Sequence, residues 1–270
     1  MRTFVGIDVG TTTTKAMVIG ADKKVLGRFV HRSGADLAAA ALAAFEEALA
    51  QARVAKETVQ AVVATGYGRR SVRFAHHTIT EIGCHGRGCY HYFPGAITVV
   101  DIGGQDSKIV KLDAQGKRVG FKMNRKCAAG TGAFLEEIAY KLDIPLSDLN
   151  HLAQTASETA HIGSYCTVFT ATEVLDRIRT GERVDSIVRG LFDSVAKRIL
   201  EMDTLSGQVV MTGGVVAFNT IVAELLSTRA GLEVKIAPHP QEMGAFGAAL
   251  FAEEYYLQRV RASSALAPSD

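Results

Sequence analysis

The chain has 270 residues, 47% of them apolar and 21% charged, with a net charge of +2 and no run of lysine and arginine. That size and balance supply apolar surface for one large or two small cores, and leave nucleic acid and membrane surfaces without electrostatic support. No stretch approaches the ~18 apolar residues of a membrane span, and MRTFVGIDVG lacks the apolar core of a leader, so the cytoplasm is the expected compartment.

In chain order, the apolar runs before Asp8 and after Lys15 read as strands joined at GTTTT, and a turn signal, GADKK at 20–24, follows. An alanine-rich helix is predicted over 36–54, with Leu37, Leu42, Phe45 and Leu49 on one face and Ser33 or Asp36 as its cap. QAVVAT, 60–65, is a short strand that ends at Gly66-Tyr67-Gly68. The first motif then returns. TVVDIGGQDSKIVKL lays Asp101 over Asp8, Gly103 over Gly10, Ser107 over Thr14 and Lys108 over Lys15, with the turn DAQGK at 113–117 over GADKK. Two similar hairpins 93 positions apart, each with an acid and a polar turn, imply two related domains facing one cleft. Helices are predicted over 133–142, 172–178, 184–203, 217–227 and 244–257; strands are predicted over 208–212, stopped by Gly213-Gly214, and over 233–236. This alternation is α/β. Residues 261–270, RASSALAPSD, are expected to form a disordered tail.

Three glycine turns follow apolar strands: Asp8 to Lys15, Asp101 to Asp106, and Thr212 to Val215. Glycine removes the side chain that would block a phosphate, while backbone N–H groups and threonine hydroxyls supply donors. Asp8 and Asp101, at strand ends, suit Mg²⁺ held through water. Gln105 and Asp106 can orient or deprotonate an attacking water. Neither GxxxxGK[ST] nor GxGxxG is present, which counts against P-loop and Rossmann readings.

The order DVGTTTTK, DIGGQD, TGG and GAFGAA resembles the actin, sugar-kinase and heat-shock ATPase superfamily. The resemblance implies two ribonuclease-H-like domains flanking a cleft for ATP or ADP and Mg²⁺: 1–95, completed by a helix over 244–258, and 96–243. Gly10, Thr11, Thr12, Thr13, Thr14, Lys15, Gly103 and Gly104 would grip phosphates. Gly213, Gly214 and Gln241 would lie near the adenosine. Gly130, Thr131, Gly132 and Gly244, where hinge helices start, would complete the nucleotide set.

Four cysteines, Cys84, Cys89, Cys127 and Cys166, are too scattered for a disulfide scaffold. Cys127 precedes AAGTG and a helix, and Cys166 stands shortly before another. A helix N-terminus favours a thiolate, and thiolates suit a soft metal or an iron–sulfur cluster. From chemistry alone, small buried core residues remain the other reading. Cys84 and Cys89, in CHGRGC, match no ligand-pair spacing and read as structural. Arg69, Arg70 and Arg73 read equally as partner contacts or as solvated charge.

CAAGTGAFLE and CTVF, set among GIDVGTTTTK, ATGYGR, DIGGQDSK, MTGGV and GAFGAAL, resemble the activator component of 2-hydroxyacyl-CoA dehydratases and the ATPase subunits of benzoyl-CoA reductase, from residue 4 to about 252. The resemblance implies a homodimer bridged by one [4Fe–4S] cluster on Cys127 and Cys166 of each copy. ATP hydrolysis would drive an electron from ferredoxin or flavodoxin into a partner dehydratase or reductase. An ATPase subunit of a benzoyl-CoA-type or double-cubane-cluster reductase is an alternative. A small-molecule kinase or a nucleotide sensor of the same fold is another, and neither of those needs Cys127 or Cys166.

Overall fold

TFVGIDV, the first strand β1 (Thr3–Val9), is buried along its whole length, as a central strand covered on both faces must be. The structure, a computed structural model, describes residues 2–124, 127–163 and 166–265. Two units divide the chain: Met1–Tyr92 with Glu242–Asp270, and Phe93–Gln241.

In the first unit β1 pairs antiparallel with β2 (Thr13–Gly20), and β2 with β3 (Val25–Arg32). The β2–β3 turn is the GADKK signal: Gly20 N–H donates to Lys24 O at 3.0 Å, and Asp22 Oδ1 accepts from Lys24 N–H at 3.2 Å. Helix α1 (Leu37–Ala52) starts at Asp36, whose Oδ1 accepts from the N–H groups of Ala38 and Ala39, and so satisfies two donors that a helix start leaves open. It leads to β4 (Val59–Thr65), parallel to β1, and then to the short β5 (His77–Thr78) and α2 (Glu81–Tyr92). The sheet order is β3-β2-β1-β4-β5. Val5, Ile7, Val18, Phe45 and Val62 lie at the centre of its core.

The second unit repeats the plan. β6 (Ile97–Ile102), β7 (Ser107–Leu112) and β8 (Arg118–Asn124) form an antiparallel meander. Its β7–β8 turn is closed by Asp113, whose Oδ1 accepts from Gln115 and Lys117 N–H. Where the first unit has α1 alone, the second has α3 (Gly132–Lys141), α4 (Leu149–Thr155), α5 (Thr167–Arg179) and α6 (Val184–Met202). Then come β9 (Gln208–Thr212), α7 (Gly214–Phe218), α8 (Ile221–Ala230) and β10 (Val234–Ile236). The order β10-β9-β6-β7-β8 is that of the first sheet read in reverse, with β9 parallel to β6. Phe134, Ile138, Leu149, Leu191 and Phe192 are central to this core.

The last helix, α9 (Met243–Ala265), packs on β1, β2, β4 and α2 of the first unit. Glycine makes the approach close: a Cβ on Gly6 would fall 2.0 Å from Ala245 O and 2.3 Å from Ala249 N. Gly6→Ala is therefore expected to destabilise the first unit by about 2–3 kcal/mol, read as a lower urea midpoint with an unchanged slope. An unchanged midpoint would show that α9 can lift off at little cost.

Three expectations need correction. The helix expected over 217–227 is two, α7 and α8, because Asn219 turns its N–H and its Nδ2 back to Val215 O and ends the first. Helix α5 starts earlier than 172, with Cys166 at its N-cap. Residues 261–265, expected in a disordered tail, are helical; arginine and alanine are good helix formers, and Ser263 Oγ donates back to Arg259 O at 3.0 Å. Residues 266–270 of that tail lie outside the described residues. Among the described residues no helix is long and apolar enough to cross a membrane.

Candidate functional site

The two hairpin turns are built alike. At the end of β1, Gly10 N–H donates to Thr13 O at 3.1 Å; at the end of β6, Gly103 N–H donates to Asp106 O at 2.9 Å. A seven-residue spacing across such a turn sets acid and lysine opposite each other in the ladder, Asp8 with Lys15 and Asp101 with Lys108. The side chains meet accordingly. Lys15 Nζ is 3.4 Å from Asp8 Oδ2, and Lys108 Nζ is 3.1 Å from Asp101 Oδ2 and 2.5 Å from Asp106 Oδ1.

In the first turn Ser33 Oγ donates to Gly10 O at 2.7 Å, so its 2.9 Å bond with Thr14 Oγ1 takes the Thr14 hydroxyl proton. Thr14, expected among the phosphate donors, thus spends its hydroxyl proton inside the fold. Thr11 is exposed, and Thr12 and Thr13 are half-buried. In the second turn Gln105 is exposed and Asp106 half-buried.

Each acid-bearing strand has a parallel neighbour that ends in threonine and glycine. Thr65 pairs with Asp8, and Thr212 with Asp101. Gly66 and Gly213 follow at φ +87° and +101°, a region that favours glycine. A Cβ on Gly66 would lie 2.4 Å from Asp8 Oδ1, and one on Gly213 2.8 Å from Asp101 Oδ1. The threonines differ: Thr212 Oγ1 donates to Asp101 Oδ1 at 2.9 Å, whereas the buried Thr65 hydroxyl makes no bond to Asp8 and faces the Cys84 thiol. From sequence Thr212 was read only as part of a glycine turn, Gly66 as a strand stop and Thr65 as a strand end, although the shared ending of QAVVATG and QVVMTG carries the signal of a matched pair.

Gly213 N–H donates to Pro240 O at 2.9 Å, and Gln241 Nε2 stands 3.7 Å from where a Gly214 Cβ would be, so Gly213, Gly214 and Gln241 come together. Gly130, Thr131 and Gly132 lie against the Asp101–Asp106 turn. Gly132 N–H donates to Gly103 O at 2.9 Å, Ala133 N–H to Gly104 O at 2.8 Å, and Ser107 Oγ to Gly130 O at 3.0 Å. Gly244 stands beside Asp8, its absent Cβ 2.9 Å from Asp8 Oδ2.

Cys127 is exposed, and Cys166, half-buried, is the N-cap of α5, its carbonyl accepting from Thr170 N–H and Oγ1. Both are free thiols. Residues 125–126 and 164–165 beside them lie outside the described residues. Cys84 and Cys89 are wholly buried in α2, and burial pushes the Cys84 thiol far up from its ordinary pKa. Among the described residues no group of three or more His, Cys, Asp or Glu is placed to hold a metal ion.

The chain is 40% identical over 252 residues to the activator of lactoyl-CoA dehydratase of Anaerotignum propionicum, which covers 92% of this chain and 96% of that relative. The crystal structure of the Acidaminococcus fermentans (R)-2-hydroxyglutaryl-CoA dehydratase component A superposes with a TM-score of 0.90 at 36% identity, over 95% of this chain and 100% of that one. The activator of the 2-hydroxyisocaproyl-CoA dehydratase from Clostridium difficile, with bound ADPNP, gives 0.89 at 31% identity, over 99% of each chain. The fold is thus the one shared by actin-like and sugar-kinase ATPases. With its residues 5–252 matching the family as a whole, the chain belongs to the BadF/BadG/BcrA/BcrD ATPase family.

Proposed function

We propose that this protein is an ATP-hydrolysing activator that passes a low-potential electron to a partner dehydratase or reductase acting on acyl-CoA thioesters. Relatives of comparable length are named activators of such dehydratases, and both hairpin turns carry the groups that phosphate chemistry needs. The Gly10–Thr13 and Gly103–Asp106 turns would take phosphates with backbone N–H groups and the hydroxyls of Thr11, Thr12 and Thr13. Asp8 and Asp101 would hold Mg²⁺ through water. Gln105 and Asp106 would orient the attacking water.

One observation carries the redox half of the reading. The carbonyls of Gly103 and Gly104 accept the first N–H groups of α3, and Cys127 lies five residues before that helix. A turn that shifts with the γ-phosphate therefore pulls on the segment that bears the thiol. A nucleotide can bias that segment only by binding its two arrangements unequally, and ATP and ADP differ by the group the turn would grip. Two accessible thiols per chain, Cys127 and Cys166, would complete a four-thiolate set in a symmetric homodimer. Bound there, a [4Fe–4S] cluster would supply one-electron transfer at low potential. ATP and water would yield ADP and phosphate as one electron passes from reduced ferredoxin or flavodoxin to the partner.

The test is anaerobic purification with iron and acid-labile sulfide counted per dimer. About four of each are expected, lost in Cys127→Ala and Cys166→Ala and kept in Cys84→Ala. Iron-free protein that still hydrolyses ATP after reconstitution would sink the redox reading.

A further inference from the structure

The segment that leads to Cys166 is tied down before it reaches the thiol. Arg189 of α6 donates from Nη1 to Ala153 O at 2.9 Å and from Nε to Thr159 Oγ1 at 3.0 Å. Ala160 N–H donates to Ser186 O at 3.1 Å, and Ile162 is buried. The last anchor comes from another helix: Gly163 N–H donates to both oxygens of the Glu173 carboxylate, at 3.0 and 3.2 Å. Only residues 164 and 165 separate Gly163 from Cys166.

Glu173 belongs to α5, the helix that begins at Cys166. Its carboxylate is itself aimed. Arg177, one turn further along α5, donates to Glu173 Oε1 from Nε at 3.2 Å and from Nη2 at 3.0 Å. The same guanidinium reaches Glu182 Oε2 from Nη1 at 2.8 Å and the His161 carbonyl from Nη2. Chain and helix thus close a ring: α5 carries Glu173, Glu173 holds Gly163, and the backbone returns to α5 through Cys166. Cys127 is served by other bonds, a long 3.4 Å one from Asn124 Nδ2 to its carbonyl and those of α3 to the Gly103–Gly104 carbonyls. We propose that Glu173 is a positioning residue for Cys166, fixing the loop that presents the thiol. An ionised acceptor makes the stronger bond to a backbone N–H, and the partners behind a metal ligand set its geometry. The role rests on the reading of Cys166 as a cluster ligand given above.

The test uses full-length protein freed of iron by a chelator under anaerobic conditions. Iodoacetamide alkylation of Cys166 and Cys127 is followed by mass spectrometry, beside the urea midpoint. Glu173→Met keeps the volume and removes the acceptor, while Arg177 retains Glu182 and the His161 carbonyl. Glu173→Gln keeps an oxygen for Gly163 N–H. Arg229→Met, which breaks the Arg229–Asp193 pair between α8 and α6, is the control for lost stability alone. Glu173→Met is expected to alkylate about tenfold faster at Cys166, through local opening, with Cys127 unchanged. After reconstitution it should lose iron to a chelator about 10–100-fold faster than the parent. Glu173→Gln should recover most of both, and Arg229→Met should alter neither. A parental Cys166 rate in Glu173→Met, equal effects in Met and Gln, or the same acceleration in Arg229→Met would overturn the role. Should Glu173→Met fail to fold, the Gly163 amide of the parent decides: it is expected to exchange hydrogen at least about tenfold more slowly than a free amide, and exchange at the free rate would overturn the role. Should the reconstituted parent hold no iron, or Cys166→Ala keep it, the failure lies in the reading of Cys166, and the Glu173 role falls with it.

Discussion

Replacing Lys108 by methionine is expected to destabilise the second unit by about 3–5 kcal/mol, the cost of leaving buried charge without its partner. The lysine side chain is 4% exposed and its ammonium serves two carboxylates, Asp101 at 3.1 Å and Asp106 at 2.5 Å. Methionine fills the volume and removes the charge, so the loss is electrostatic rather than a cavity. The repeat supplies the control. Lys15, in the corresponding place, has one carboxylate at 3.4 Å and a side chain 13% exposed, so Lys15→Met should cost about 1 kcal/mol. Urea unfolding of the two variants measures the difference. Adding Asp101→Asn to Lys108→Met should restore part of the loss, since the pair shares one network. Equal costs for the two lysines would refute the electrostatic account.

The contrast shows what a repeat in sequence conveys and where it stops. Asp, glycine and lysine at fixed offsets were enough to place both hairpins, because an antiparallel turn converts a spacing of seven into a facing pair. The turns at Gly20 and Asp113 were legible for the same local reason. Helix α6, expected over 184–203, runs over Val184–Met202, since its apolar period is strong. Helix α2 was missed because the residues it buries are small or polar, Cys84, His85, Gly86 and Gly88, and give no periodic apolar signal. What buries them is the crossing with α9, a contact between residues some 160 positions apart. The burial of His85 was illegible in turn, since it depends on that crossing. The hold on Thr14 was hidden likewise: it depends on Ser33, which β3 brings back from nineteen residues away. The sequence spacing places Cys127 before a helix, but not the two bonds from that helix to the Gly103–Gly104 carbonyls. Those need the sheet and α3 both in place.

The pair Gly213→Ala and Gly214→Ala should separate backbone necessity from mere proximity. Gly213 has φ +101° and ψ 166°, a conformation reserved for glycine that costs other residues about 1–3 kcal/mol. Its added Cβ would also meet Ile102 O at 2.2 Å and Asp101 Oδ1 at 2.8 Å. Neither can give way freely: Ile102 ends the strand that opens the DIGG turn, and Asp101 is fixed by Lys108 and Thr212. Relief must come from prising apart the ends of β6 and β9. Gly213→Ala is thus expected to lose about 4 kcal/mol and to weaken ADP binding at least ~100-fold, because the phosphate turn moves with the strand. Gly214 has no positive φ, and its Cβ would meet only Gln241 Nε2 at 3.7 Å, an ordinary contact. Gly214→Ala should keep the parental stability, and since alanine favours the helix it would start, a gain of about 0.5 kcal/mol is expected. Calorimetric ADP titration and urea unfolding of both variants decide the matter. Should Gly213→Ala bind ADP as the parent does, the strand ends are free to part, and the Asp101–Thr212 bond is not what aims the turn.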